Sequence, residues 1–153
     1  MITMTTELTE VLNDLIKINT DRVTGYEKAA DESKDIDVDL QAIFHKMADE
    51  SRKYVAELSN RVNELGGETE SGNTAMGRLY QAWMDVKATF TGKDRHAILA
   101  ACEYGEDAAQ KAYRDALASD ADIDTTTRQL ITTQKAALKT SHDLVKKYRD
   151  ANK

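Results

Sequence analysis

Proline is absent from the 153 residues, glycine occurs 7 times, and the one cysteine is Cys102. Average usage would supply about eight prolines, so nothing of that kind interrupts a long helix. A lone cysteine excludes an internal disulfide and a thiolate zinc cluster, and it suits a reducing compartment. Long apolar runs are also missing. The longest, Ala97 to Cys102, is six residues, against the ~20 needed to span a bilayer. The first basic residue, Lys17, follows Glu7 and Glu10, so the start has neither the positive flank nor the apolar stretch of a secretory signal. Together these absences set the expectation of a cytoplasmic protein with no membrane contact.

What is present points to a helical domain. Hydrophobic residues make up 41% and charged residues 31%, the latter above the usual ~25%. A chain of this length can bury about 68–70% of its unfolded surface, so residues 1–153 are expected to form a single domain. The net charge of −6 is uneven: residues 1–76 hold 8 basic and 16 acidic groups, residues 77–153 hold 13 and 11. Nucleic-acid binding calls for a basic stripe interleaved with aromatics, and an acidic first half argues against it. Lys146, Lys147, Arg149 and Lys153 fall near the end of a helix, where cations complement the dipole.

Apolar residues recur at spacings of three and four from Leu8 through Leu12, Leu15, Asn19, Val23, Tyr26 and Ala30, with Thr5 or Thr6 as the expected N-cap. A second stripe runs Leu40, Ile43, Phe44, Met47, Glu50, Tyr54, Leu58, Val62 and Leu65, begun by Asp37 and stopped by Gly66 and Gly67. Met76, Leu79, Tyr80, Trp83, Val86 and Phe90 form a shorter apolar face, read as a connecting helix. The third long helix starts at Asp94 and carries Ile98, Cys102, Gly105, Ala109, Ala112 and Ala116, small side chains that let a neighbouring backbone come close. The fourth, from about Asp124 to Ala151, shows Leu130, Ile131, Gln134, Leu138, Ser141, Val145 and Tyr148. No sustained period-two alternation or hairpin dipeptide competes. The pattern predicts an all-α fold of two antiparallel hairpins, with the connecting helix between helices two and three crossing the bundle on its outside.

The block from Thr91 to Tyr113, with Leu65-Gly66-Gly67-Glu68, Trp83-Met84 and Asn13-Asp14-Leu15 before it, resembles a bacterial four-helix-bundle family of unknown function placed with the ferritin-like superfamily. The resemblance implies a ferritin-like four-helix bundle and brings no activity with it. Ferritin-like di-iron proteins take a glutamate from each of two helices and Glu-x-x-His from each of the other two. Neither Glu-x-x-His is intact here. Glu50 is followed three residues on by Lys53, and His142 is preceded by Lys139.

Reflection across a first loop near residue 35 or 36 puts Glu50 level with about residue 20, facing Asn19. Reflection across a second loop near residue 121 puts His142 level with about residue 100, within a turn of Glu103. Asn19, Glu50, Glu103 and His142 could therefore converge, with Glu106 as a fifth candidate, into a reduced metal site for iron or manganese. The structural reading carries more weight: Glu103 with His142 or Lys139, and Asn19, would form a satisfied polar network that sets helix register. His45 and His96 read as surface groups, Tyr26, Tyr54 and Tyr113 as core aromatics with bonded hydroxyls, and Cys102 as a buried packing residue. Gly25 and Gly105 read as close-packing positions.

No Ser-His-Asp order, glycine-rich phosphate loop or His-Glu-x-x-His motif occurs. The expectation is thus a non-enzymatic, soluble bundle with a structural, stress-related or protein-interaction role and no assigned cofactor. The alternative is a metal-binding protein or oxidoreductase using Asn19, Glu50, Glu103, Glu106 and His142. A homo-oligomer or other protein partner would meet the exposed apolar residues of the connecting helix. Burial of that helix against the bundle predicts that Trp83→Ala lowers stability by about 3–5 kcal/mol, measured by urea unfolding.

Overall fold

The computed structural model describes residues 4–34, 37–68, 95–119 and 121–151, with side chains from Glu7 onward. Four helices account for most of them: α1 (Met4–Ser33), α2 (Val38–Glu64), α3 (Arg95–Leu117) and α4 (Thr125–Ala151). No strand occurs among the described residues. The connecting helix read from Met76 to Phe90, Trp83 included, and Asp94 as the start of the third helix lie outside the described residues.

Local chemistry explains most of the helix ends. Asp37 caps α2, its Oδ1 accepting from the backbone N–H groups of Asp39 at 2.9 Å and Leu40 at 3.1 Å. Asp124 does the same for α4, accepting from the N–H of Thr127 at 3.1 Å and from its hydroxyl at 2.6 Å. The Thr127 hydroxyl bond, with Arg61 beside it, holds the Asp124 carboxyl below its ordinary range. The start of α1 corrects the sequence reading. The helix already includes Met4, so Thr5 and Thr6 lie within its first turn rather than capping it.

At the end of α2 the Gly66 N–H bonds back to the Asn63 carbonyl and the Gly67 N–H to that of Val62, both at 3.0 Å. This is the paired closure of a left-handed helix stop, and Gly66 supplies the required positive φ of 80°. Gly67 has a different reason. A Cβ there would stand 2.7 Å from the Thr9 side chain, so the end of α2 lies directly against α1.

Cross-helix contacts set the topology. Asn19 meets Ser51 and, further along α1, Glu27 meets His45, which makes α1 and α2 antiparallel. Asp107 meets His142 and Tyr113 meets Gln134, which does the same for α3 and α4. Glu68 sits beside Asn13 and Arg61 beside Asp124 at one end of the bundle. Arg95 pairs with Asp37 at 2.7 Å at the other end. Glu68 and Arg95 therefore lie at opposite ends of the bundle, separated by the length of an α2 of 27 residues, or about 40 Å.

α1 packs on both α2 and α3, and α3 on α4, whereas α2 and α4 meet sparsely. Between that last pair runs a cleft of about 550 Å³, lined by Ile43, Met47, Glu50, Ala137, Leu144 and Tyr148 among others. The core holds Leu12, Leu15, Phe44, Leu58, Leu99, Ile131 and Leu138, all 1% exposed or less. Tyr26 lies 5.7 Å from Phe44 between ring centroids. Tyr26, Tyr54 and Tyr113 are buried, as is Cys102, whose thiol pKa is pushed up by burial. Gly25 and Gly105 are buried within α1 and α3. His45 is exposed, and His96 is half-buried against the Arg149 carbonyl at 3.3 Å.

Nothing lies within 4 Å of a Cβ built on Gly66, so only its backbone conformation resists substitution. Gly66→Ala should lower stability by about 1–2 kcal/mol. Gly66→Asn should cost less, since asparagine tolerates that conformation, and the order of the two urea midpoints checks the assignment.

Candidate functional site

The centre of the bundle is built around a cation. Arg22 projects from α1 and is fully buried, although no charge is expected on an apolar stripe. Its Nε donates to Glu106 Oε1 of α3 at 2.5 Å, and its Nη2 points to Oε2 of the same carboxylate at 3.4 Å. Nη1 donates to the Ser51 hydroxyl at 2.8 Å and the Met47 carbonyl at 3.2 Å, and lies 3.1 Å from Glu50 Oε1. The guanidinium carbon stands 5.0 Å from the Tyr26 ring centroid, within cation–π reach. Burial alone would weaken the charged form of Arg22, but Glu106 outweighs it, with help from Glu50, and holds the pKa above its ordinary value.

From Arg22 a hydrogen-bond chain crosses the bundle in one direction. Ser51 accepts from Arg22 and donates to Asn19 Oδ1 at 2.9 Å. Asn19 Nδ2 donates to the Tyr113 hydroxyl at 2.7 Å, and Tyr113 donates to Gln134 Oε1 at 2.6 Å. Gln134 Nε2 ends the chain on Glu57 at 3.1 Å. A branch runs through Glu50, which accepts from the Ser141 hydroxyl at 3.0 Å. All four helices contribute, and the donors and acceptors alternate along the chain without conflict.

Of the five candidate ligands, Asn19, Glu50 and Glu106 belong to this network, Glu50 and Glu106 facing the guanidinium directly and Asn19 one hydroxyl away. Glu103 and His142 lie apart on the α3–α4 seam. There Arg149 Nη1 engages Glu103, and Arg149 Nη2 reaches Asp150 at 2.8 Å. His142 Nε2 faces Asp107 at 2.5 Å and its Nδ1 faces Asp143 at 3.1 Å. Partial burial works against a charged imidazole, but Asp143 and Asp107 keep its pKa above the ordinary value. Ligand atoms of Glu103, Asp107 and His142 fall within 4.8 Å of one another.

The first reflection, which paired Glu50 with about residue 20, agrees with the Asn19–Ser51 contact. The second brings His142 near Glu103, as their ligand atoms within 4.8 Å of one another show, but misplaces its level. His142 faces Asp107 rather than a residue near 100, because the pairs across α3 and α4 centre near residue 124 and not 121. Segment 118–124 carries the chain beyond the end of α3 before α4 begins. Lys139, expected as a partner for Glu103, pairs with Asp143 at 3.0 Å.

Arg22, Ser51 and Asp107 were not among the candidates. Arg22 sits three residues after Asn19 and four before Tyr26, on the same line as both, yet spacings of three and four also run through Val23, which is only half-buried. Asp107 follows Glu103 by four, one turn along α3. Ser51 carries no signal in the sequence beyond its proximity to Glu50.

An iron or manganese ion at the centre would have to share Glu50 and Glu106 with a buried guanidinium of like charge. The central residues do not fit such an ion. Their arrangement instead predicts a strongly coupled pair. Arg22→Leu should cost about 3–5 kcal/mol, because it leaves Glu106 buried without its counter-charge, and Glu106→Leu less, because Glu50 still faces the guanidinium. The double Leu variant should lose much less than the sum, as read from urea unfolding in a double-mutant cycle.

Residues 7–119, from α1 through the end of α3, match the model of a domain of unknown function, DUF2383. Arg22, Glu50, Ser51 and Glu106 fall inside the match, and Gln134, Ser141 and His142 beyond it. No curated protein matches the chain. With well over half of its length matched, the chain belongs to the DUF2383 family.

Proposed function

We propose that this protein is a non-enzymatic ferritin-like bundle that acts through protein contacts, in a structural or stress-related role, rather than through a metal at its core. The observation that carries this reading is Arg22. In a carboxylate-lined four-helix bundle the ligands of a central ion converge on a cation. Here Glu50 and Glu106 converge on a guanidinium held by the chain itself. A permanent charge in that position removes the open coordination and the exchangeable water that metal-based oxidation chemistry requires.

The remaining polar core is consistent with structure rather than catalysis. Tyr113, Asn19, Gln134 and Ser51 are all bonded to one another or to Glu57, and burial pushes the Tyr113 hydroxyl pKa up. The Cys102 thiol is fully buried with its pKa raised, the reverse of a reactive thiolate.

Anaerobic reconstitution with Fe(II) and Mn(II), desalting and elemental mass spectrometry test the core reading. The expected result is no stoichiometric iron or manganese whose retention depends on Glu50. About one ion per chain, lost in Glu50→Ala and kept in Asp107→Asn, would overturn it and move metal handling to the centre of the bundle.

A further inference from the structure

The α3–α4 seam carries a constellation that the core network does not use. Glu103 and Asp107 stand one turn apart on α3, so their carboxylates share a face. His142 reaches them from α4, and ligand atoms of the three lie within 4.8 Å of one another. We propose that Glu103, Asp107 and His142 bind a divalent first-row ion, with Zn2+ as the best match, at a peripheral site independent of Arg22.

The donor set fits that ion. Two carboxylates and one imidazole are ligands zinc accepts, and three protein ligands leave a fourth position for water. Donors around a tetrahedral zinc stand about 3.3 Å apart at its usual bond lengths, so the ion needs a modest opening of the Asp107–His142 contact and a closing of the rest. A second feature, outside the trio, points the same way. Asp143, which also accepts from Lys139, faces His142 Nδ1 at 3.1 Å and leaves Nε2 turned toward Asp107. A carboxylate on the far nitrogen is the usual support of a metal-bound histidine, fixing its tautomer and raising its basicity.

Arg149 is the internal competitor. It engages Glu103 directly, yet it also holds Asp150 at 2.8 Å. An arriving dication can take Glu103 from Arg149 without leaving the guanidinium unpaired. Access is open on the Asp107 side, where the side chain is 63% exposed, while that of His142 is 17% exposed.

Titration calorimetry with Zn2+, and with Co2+ as a spectroscopic probe, tests the proposal on the full chain. One ion per chain is expected, with affinity reduced at least tenfold in both His142→Ala and Asp107→Asn. Glu50→Ala should bind as the wild type does, and Arg149→Gln at least as tightly. Circular dichroism confirms that the variants stay helical, and visible Co2+ bands should shift or vanish in His142→Ala. Absence of saturable binding in the wild type would overturn the proposal, as would equal binding in both ligand variants. Loss in Glu50→Ala with retention in His142→Ala would place the ion in the core and overturn this site together with the core reading. Failure of the core reading alone would leave a second ion that still depends on His142.

Discussion

The guanidinium of Arg22 is the constraint on which the arrangement of the helices depends. A charge moved into a core loses its hydration, and the loss is tolerable only when its donors and its charge are both matched. Arg22 meets that demand with Glu106 from α3, Glu50, Ser51 and a carbonyl from α2, and an aromatic face from its own helix. Sliding any of these helices by one turn would carry a partner about 5.4 Å away. Apolar contacts can repack after such a slide, but a stranded buried charge cannot. The polar centre therefore discriminates among bundle registers that hydrophobic burial alone would rank as near equals.

The same centre clarifies why carboxylates on a bundle stripe are a weak indicator of metal chemistry. Glu50 and Glu106 present what a dication would recognise, negative oxygens in a dry interior. What they meet is decided by a third residue whose charge is covalently tied to the chain. A guanidinium offers planar, directional hydrogen bonding and no vacant coordination position. The seam between α3 and α4 differs in each respect: it is wetter, its cation Arg149 is shared with Asp150, and it contains an imidazole.

Much of the fold was legible because helical periodicity and end chemistry are local. Asp37 and the Gly66-Gly67 pair marked the limits of α2, and the few residues separating Ser33 from Val38 made a simple reflection adequate for the first hairpin. The second hairpin defeated the same reasoning because segment 118–124 has length to spare, so the midpoint of the loop no longer marks the midpoint of the pairing. Glu50, Glu106 and Asn19 were found because polar groups on an apolar stripe stand out. Arg22 was passed over because spacings of three and four allow a stripe to be drawn through Val23, and because a cation is not sought inside a core. The polar network expected around Glu103, His142 or Lys139 and Asn19 divides into two groups: Asn19 shares a bonded network with Glu50 and Glu106, and Glu103 and His142 lie on the α3–α4 seam.

The distribution of the network between the two hairpins bears on how the chain reaches this state. The α1–α2 hairpin closes a short loop and brings Arg22 to Ser51 and Glu50, but it leaves the edge of the guanidinium that meets Glu106 facing solvent. The α3–α4 hairpin carries the matching defect, with Glu106 and the Asn19-facing side of Tyr113 lacking their complements. Each half is thus kept hydrated by its own unfinished polar edge until the other arrives. Water must leave both edges in the same step that joins them, so neither hairpin holds a dry polar core of its own and the two complete each other's hydrogen bonding only on docking.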